Sequence, residues 1–167
     1  MAYSQSARLT VQSGRAAIKV EVNTTMRGLL AEPQHHTLCA RAQEMFDMEV
    51  AVPLAPLHQI VGGKLVAALD RQHPRDLFDV HRLFARGNIL DGEGRLGFML
   101  ALLSSDRPFH EVLSPTLHDQ RTVMANQFAG MTEEAFSYDD FEQVRQTLSL
   151  TWEDRYPRPI DPSSGNS

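Results

Sequence analysis

Lys64 is the residue of this chain whose position first asks for a chemical explanation. Leu57, Ile60, Val61, Leu65 and Ala68 recur at the spacing of one helical face. Lys64 stands seven residues after Leu57, four after Ile60 and four before Ala68, so it projects from the middle of that apolar stripe. An ammonium there must snorkel to water or meet a carboxylate, because an unpaired buried charge is costly. Carboxylates follow directly. The run His73-Pro74-Arg75-Asp76-Leu77-Phe78-Asp79 sets Asp76 and Asp79 three apart, on one side of a helix that Leu83 continues. Two readings are open. Acids in a first helical turn suit the helix dipole. An acid pair beside one lysine and two arginines, Arg71 and Arg75, is also the make-up of a phosphate-binding or polar catalytic centre. Gly62-Gly63 before Lys64 is not a Walker loop: His58 stands where the first glycine belongs and Leu65 where Ser or Thr belongs. A glycine pair inside a helix points instead to close packing of backbones.

These side chains need elements to hold them. The spacing predicts one helix over Ala55 to Asp70 and a second over Pro74 to Arg86, with Pro74 in the first turn and Gly87 at the stop. Upstream, Arg8 to Gln12 and Ala17 to Asn23 read as two short strands joined at Ser13-Gly14. In the second strand Ile18, Val20 and Val22 alternate with Lys19, Glu21 and Asn23, a period of two that leaves Glu21 on a polar face. A short helix over Leu38 to Phe46 and a short strand over Met48 to Val52, ended by Pro53, follow. Leu96, Met99, Leu100 and Leu103 mark a third long helix, Thr116 to Phe128 a weaker one, and Ser137 to Leu150 the last. Ser137 is its expected N-cap, with Asp140 three residues on and Phe141, Val144 and Leu148 as its stripe. After Trp152 the chain reads as a frayed tail. The expected class is α+β, predominantly helical: a small β-portion followed by a helical bundle.

Composition narrows the function classes. The 167 residues, 42% hydrophobic and 22% charged, make one domain's worth of chain with a sizeable core. A formal charge of −5 disfavours a strongly basic nucleic-acid binder, while a local basic patch stays compatible with RNA. The lone Cys39 has no internal disulfide partner, and no apolar run approaches the roughly 20 residues of a membrane helix. The expected compartment is therefore the cytoplasm, with no membrane partner.

The run LHQIVGGKLVAALDRQHPRDLFDVHRLF, preceded by IKVEVN, resembles the second half of the AbiEii-type nucleotidyltransferase toxins of abortive infection and phage defence. The matching pattern is a strand with a central acid, Glu21, then K-x-x-A-x-L-x-R at Lys64, Ala67, Leu69 and Arg71. Pro74-Arg75-Asp76-Leu77-Phe78-Asp79-Val80 follows. The segment FSYDDFEQVRQTL resembles that family's C-terminal helix, and the likeness runs from Leu9 to Leu150. The resemblance implies a nucleotidyltransferase-like sheet with a helical C-terminal part. It implies nucleotide transfer from a nucleoside triphosphate to an acceptor, RNA by this likeness, with Mg²⁺ and with an antitoxin encoded alongside. It makes Glu21 a metal-side acid, Lys64 the phosphate-side cation and Asp76 the acid of the last motif, supported by Arg75 and Asp79; Arg71 and Arg75 join Lys64 in binding phosphate. The family pattern opens with a Gly-Ser block and an Asp-x-Asp pair on a strand, and this sequence has neither before Glu21.

The chain is accordingly expected to be the C-terminal portion of a longer, truncated or mis-started protein, inactive alone. Residues 1–53 then form a partial nucleotidyltransferase-like β-portion, 54–152 a helical domain and 153–167 a flexible tail. Such a remnant sheet exposes a strand edge that a partner or a second copy covers. The alternative is a non-catalytic remnant or helical binding module that engages an antitoxin-like partner.

Other signals carry less. No pair among the seven histidines has zinc spacing with a third ligand. Cys39 reads as a core thiol, and Met45, Met48, Met99 and Met124 as core filling. Asp91-Gly92-Glu93-Gly94 reads as a turn before a helix, and Trp152 and Tyr156 as anchors of the last helix.

Overall fold

In the computed structural model, which describes residues 8–22, 26–87 and 92–153, two short hairpins precede a group of helices arranged around one of them. β1 (Arg8–Ser13) pairs antiparallel with β2 (Ala16–Glu21), Leu9 opposite Val20 and Val11 opposite Ile18. Their turn is Gly14-Arg15, one residue beyond the expected place. Gly14 takes φ +58°, which a primed hairpin turn needs and a side chain resists. β3 (Gln34–Thr37), which the sequence pattern did not reveal, pairs with β4 (Ala51–Leu54) and brackets α1 (Ala40–Phe46). β4 runs through Pro53 instead of stopping before it. A two-stranded ribbon leaves each strand a free side, where a proline's missing N–H costs nothing. The two hairpins do not pack extensively on the helices.

α2 (Leu57–Arg71) is the hub, packed on α3 (Pro74–Ala85), α4 (Gly92–Leu103), α5 (Phe109–Leu113) and α7 (Tyr138–Glu153). Its closest neighbour is α4, and the reason is a pair of glycines. A Cβ on Gly62 would run into the backbone of Gly97 and Phe98, and one on Gly97 into the carbonyl of His58. Gly63 meets nothing. The expected backbone packing is therefore real but belongs to Gly62 alone. It also fixes which side of each helix is inside. The buried face of α2 is Gln59, Val61, Gly62, Leu65, Val66, Ala68 and Leu69, while Leu57 is 74% exposed. α4 buries Gly94, Gly97, Phe98 and Leu102, and leaves Leu96 and Leu103 outside. The apolar stripes read from the sequence were thus rotated from the true contact faces, because backbone approach, not side-chain bulk, sets the phase.

The remaining helices complete the core around Leu65, Leu77, Val80, Phe98, Val112, Phe141 and Leu148. Pro74 opens α3 as expected, with His73 Nδ1 accepting from the Arg75 amide at 3.2 Å. Instead of one helix over Thr116 to Phe128, there is a single turn α6 (Arg121–Val123) continuing as a π-helical turn, Met124–Phe128. The backbone before it is occupied elsewhere. Gln72, left-handed at φ +50° as the cap of α2, donates to the Thr116 carbonyl at 2.8 Å. The buried Arg145 of α7 donates to the His118 carbonyl at 2.7 Å and to Glu142. Gln72 also accepts from Arg145 at 3.2 Å, so one network joins α2, α7 and the 116–118 segment. Phe141, Val144 and Leu148 are buried, as their spacing predicts.

Other expectations need correction. Cys39, Met45, Met48 and Met99 are exposed, not core. Gly92 to Gly94 already belong to α4, and Asp91 lies outside the described residues. The tail beyond residue 153, Tyr156, and the side chain of Trp152 lie outside what is described. No helix among the described residues is long and apolar enough to cross a membrane.

Gly62→Ala should cost about 1–3 kcal/mol of stability, because two backbones must part. Gly63→Ala in the same helix should be neutral or gain up to about 1 kcal/mol from propensity. Denaturant titration of the two variants separates them. A second expectation concerns the α7 cap. The Ser137 hydroxyl and amide both donate to Asp140, at 2.6 and 2.8 Å, and hold its carboxyl below the usual range. A lowered folded-state pKa means stability present above the ordinary aspartate value and lost as pH falls through the folded one. The Tm advantage of the native chain over Asp140→Asn should therefore shrink as pH drops from neutral to below about 4.

Candidate functional site

α2 reverses into α3 through Gln72 and His73, and the two helices then run side by side. Two ion pairs span them. Lys64 Nζ donates to Asp79 Oδ2 at 2.6 Å, and the pair is open to solvent, 47% and 39% exposed at the side chains. Arg71 donates to Asp76 Oδ1 at 2.8 Å near the reversal, with Asp76 buried and the arginine outside. Lys64 thus meets a carboxylate and also reaches water. It does so from the flank of α2 and not from the middle of the buried face. The cause is the glycine contact. Gly62 faces α4, and a side chain two residues on is turned about 200° around the helix, away from it.

The Lys64–Asp79 pair sits in a shallow cleft of about 200 Å³. Leu57, Ile60, Val61 and Leu83 line its apolar part, and Arg82 and Arg86 stand beside the pair. Asp76 lies in the first turn of α3, so its carboxylate serves the helix dipole and the Arg71 pair together. Arg75 is exposed, and among the described residues its guanidinium has no ion pair. Glu21 is placed apart, at the end of β2. It accepts from Arg8 at 2.9 Å and pairs with Lys19 at 2.8 Å. Lys19, then Arg8, lowers its pKa below the ordinary glutamate value. The structure therefore brings Lys64 to Asp79 and Arg71 to Asp76, and leaves Glu21 with the hairpin's own cations.

A catalytic Mg²⁺ needs carboxylates that converge on one point. Among the described residues no three of His, Cys, Asp or Glu are placed to hold a metal ion. Asp76, Asp79 and Glu21 each hold a cationic side chain instead. These residues, in this arrangement, do not fit a magnesium centre.

Three participants were not found from the sequence. Arg82 and Arg86 share the Lys64 cleft, and their signal was available: they follow Arg75 by seven and eleven residues on one helix. Gln59, buried, accepts from the Leu30 amide at 3.0 Å and donates to the Gly28 carbonyl at 2.9 Å, tying the segment after the first hairpin onto α2. A polar residue on the packed face of a helix was its only mark. A second groove, of about 390 Å³, lies between α2 and α4 over Gly63, Val66 and Leu100, and ends at the Arg107–Asp70 pair.

The family model described as nucleotidyl transferase AbiEii toxin, type IV TA system, matches residues 3–154. No curated protein and no solved structure matches.

The two ion pairs should respond differently to substitution. Lys64→Met and Asp79→Asn remove an exposed pair and should each shift stability by less than about 1 kcal/mol. Asp76→Ala removes a buried carboxylate, its bond from Arg71 and its charge in the α3 first turn, and should cost about 1.5–3 kcal/mol. Thermal and denaturant melts of the three variants test the order; an equal cost at all three sites contradicts it.

Proposed function

The chain belongs to the AbiEii family of nucleotidyltransferase toxins, and on that premise we propose that its α2–α3 pair is the phosphate-handling part of a nucleotide-transfer site. The observation that carries this reading is the Lys64–Asp79 pair, solvent-open over a cleft with Arg82 and Arg86 beside it. In this reading Asp79 holds Lys64 until a triphosphate takes over the ammonium, and Lys64 then neutralises charge on the transferring group. Arg71 and Arg75 bind phosphate at the α3 end, Asp76 fixes the turn that sets their spacing, and Glu21 would turn to a metal only after leaving Arg8 and Lys19. The donor is a nucleoside triphosphate, the acceptor RNA, the partner an antitoxin protein, and the setting cytoplasmic phage defence.

The chain by itself transfers little or no nucleotide in this proposal, because the acids are engaged by cations and no Asp-x-Asp pair precedes Glu21. The same observation supports a second reading, a non-catalytic helical module that engages a partner. The first hairpin has the surface for one: Leu9, Val11, Ile18 and Val20 are exposed on one face, and both strands leave an edge free for a partner or a second copy.

The deciding measurement is thermal stability with Mg²⁺-nucleoside triphosphate. At a hundredfold excess over its Kd, a bound triphosphate adds about 2.7 kcal/mol and raises Tm by several degrees. The native chain should show the rise and Lys64→Met should lose it. A native chain that shows none defeats the phosphate-handling reading and leaves the binding module. Labelled nucleotide offered with RNA should stay unincorporated by the chain alone; measurable transfer overturns the proposed inactivity.

A further inference from the structure

Arg75, Arg82 and Arg86 follow one another at intervals of seven and four on α3 and its cap residue, with Asp79 between the first two. At 3.6 residues per turn these positions fall within about 60° of one another, in a row about 16 Å long. All three arginines are exposed. Among the described residues Arg75 and Arg86 have no ion-pair partner, and Arg82 has two loose contacts, Glu134 at 3.5 Å and the Phe78 ring at 6.0 Å. Lys64 reaches the row from α2 at Asp79. Four cations therefore stand against two carboxylates along this flank, on a chain whose formal charge is −5. A basic row on an acidic protein is not explained by solubility, and no ion pair within the described residues accounts for Arg75 or Arg86.

We propose that this row is a track for the phosphodiester backbone of a single-stranded nucleic-acid acceptor, with Arg82 and Arg86 as positioning residues that carry the strand past Lys64. Arginine suits the task because its planar fork donates two bonds to one phosphate and stays charged. The length of the row argues for a strand over a nucleotide: a triphosphate at Lys64 cannot also reach both Arg75 and Arg86. The absence of exposed aromatic side chains from the row fits recognition of backbone and not of bases.

The inference rests on the α2–α3 reading above, but binding, and not transfer, tests it. A short labelled oligoribonucleotide is titrated into the full chain by fluorescence anisotropy over a series of salt concentrations. The native chain should bind at low salt. In Arg82→Gln/Arg86→Gln the slope of log K against log salt should fall in magnitude by about 0.7 for each phosphate no longer neutralised. The corresponding lysine variants should restore most of the slope. Arg41→Gln, on α1 and paired with Glu133, should leave it unchanged. An unchanged slope in the double glutamine variant, or no binding by the native chain at low salt, overturns the proposal. So does labelled polyglutamate binding as tightly with the same dependence on Arg82 and Arg86, which would make the row a face for an acidic protein. Inorganic triphosphate losing affinity in the double variant while the oligoribonucleotide does not would assign the row to the nucleotide and likewise overturn it. A normal triphosphate shift with a failed slope test sinks the track alone, whereas loss of that shift in the native chain sinks the α2–α3 reading itself.

Discussion

The contact between Gly62 and Gly97 governs how this protein presents its chemistry. Two helices touch there backbone to backbone, at a separation no side chain permits. Dispersion between two close backbones is gained without ordering a long side chain, at the cost of poor helix propensity in both elements. Once that contact fixes the rotation of α2, the rest of its surface is assigned. Leu65 and Leu69 turn to the core, Gln59 meets the segment after the first hairpin, and Lys64 turns to α3 and solvent.

The α2–α3 reversal then divides two chemically similar ion pairs into different roles. Near the turn, Asp76 is 8% exposed and sits in a helical first turn beside a left-handed residue whose side chain is itself tied to α7. The Asp76 carboxylate is embedded in the fold while Arg71 stays outside, so taking Arg71 away leaves a buried charge without its partner. Two turns away, Lys64 and Asp79 share a hydrogen bond that water reaches from outside. Screening keeps the net worth of such a pair small. A small net worth makes it exchangeable: an anion that offers Lys64 a better partner displaces Asp79 at little cost to the fold. One pair thus has a buried carboxylate and the other is open on both sides, from residues fifteen positions apart or less in sequence.

Much of this was legible in the residues themselves. Charge inside an apolar pattern asked for either water or a carboxylate at Lys64, and Lys64 has both, Asp79 and an open flank. Pro74 marked the start of α3, and Ser137 with Asp140 marked the start of α7. What was not legible shares one physical cause. Helix phase was read from large apolar side chains, whereas Gly62 and Gly97 set it, and glycine contributes nothing to a hydrophobic pattern. That left Leu57, Leu96 and Leu103 misassigned to the interior. The 116–128 segment failed as a helix for a related reason. Its backbone carbonyls are claimed by Gln72 and Arg145, from 44 and 27 residues away, and a local pattern carries no trace of such partners. Arg82 and Arg86 were visible as residues but acquired meaning only once Asp79 located the cleft they share.

The first hairpin follows the same rule that α2 obeys, with a period of two in place of 3.6. Leu9, Val11, Ile18 and Val20 lie on one face, and Arg8, Lys19 and Glu21 on the other. An isolated two-stranded ribbon is marginal in water. The polar face of this one contributes only exposed ion pairs, so its apolar face is the side from which a cover would add stability. Covering that face necessarily leaves Glu21 on the side turned away from the cover. The side of an element that packs thus decides which of its side chains stay in solvent, as it does at α2. A residue's availability here is set by what packs behind it more than by its own neighbours. For Lys64 that backing is α4, through a glycine contact the fold already contains. For Glu21 the corresponding surface is still open to solvent among the described residues.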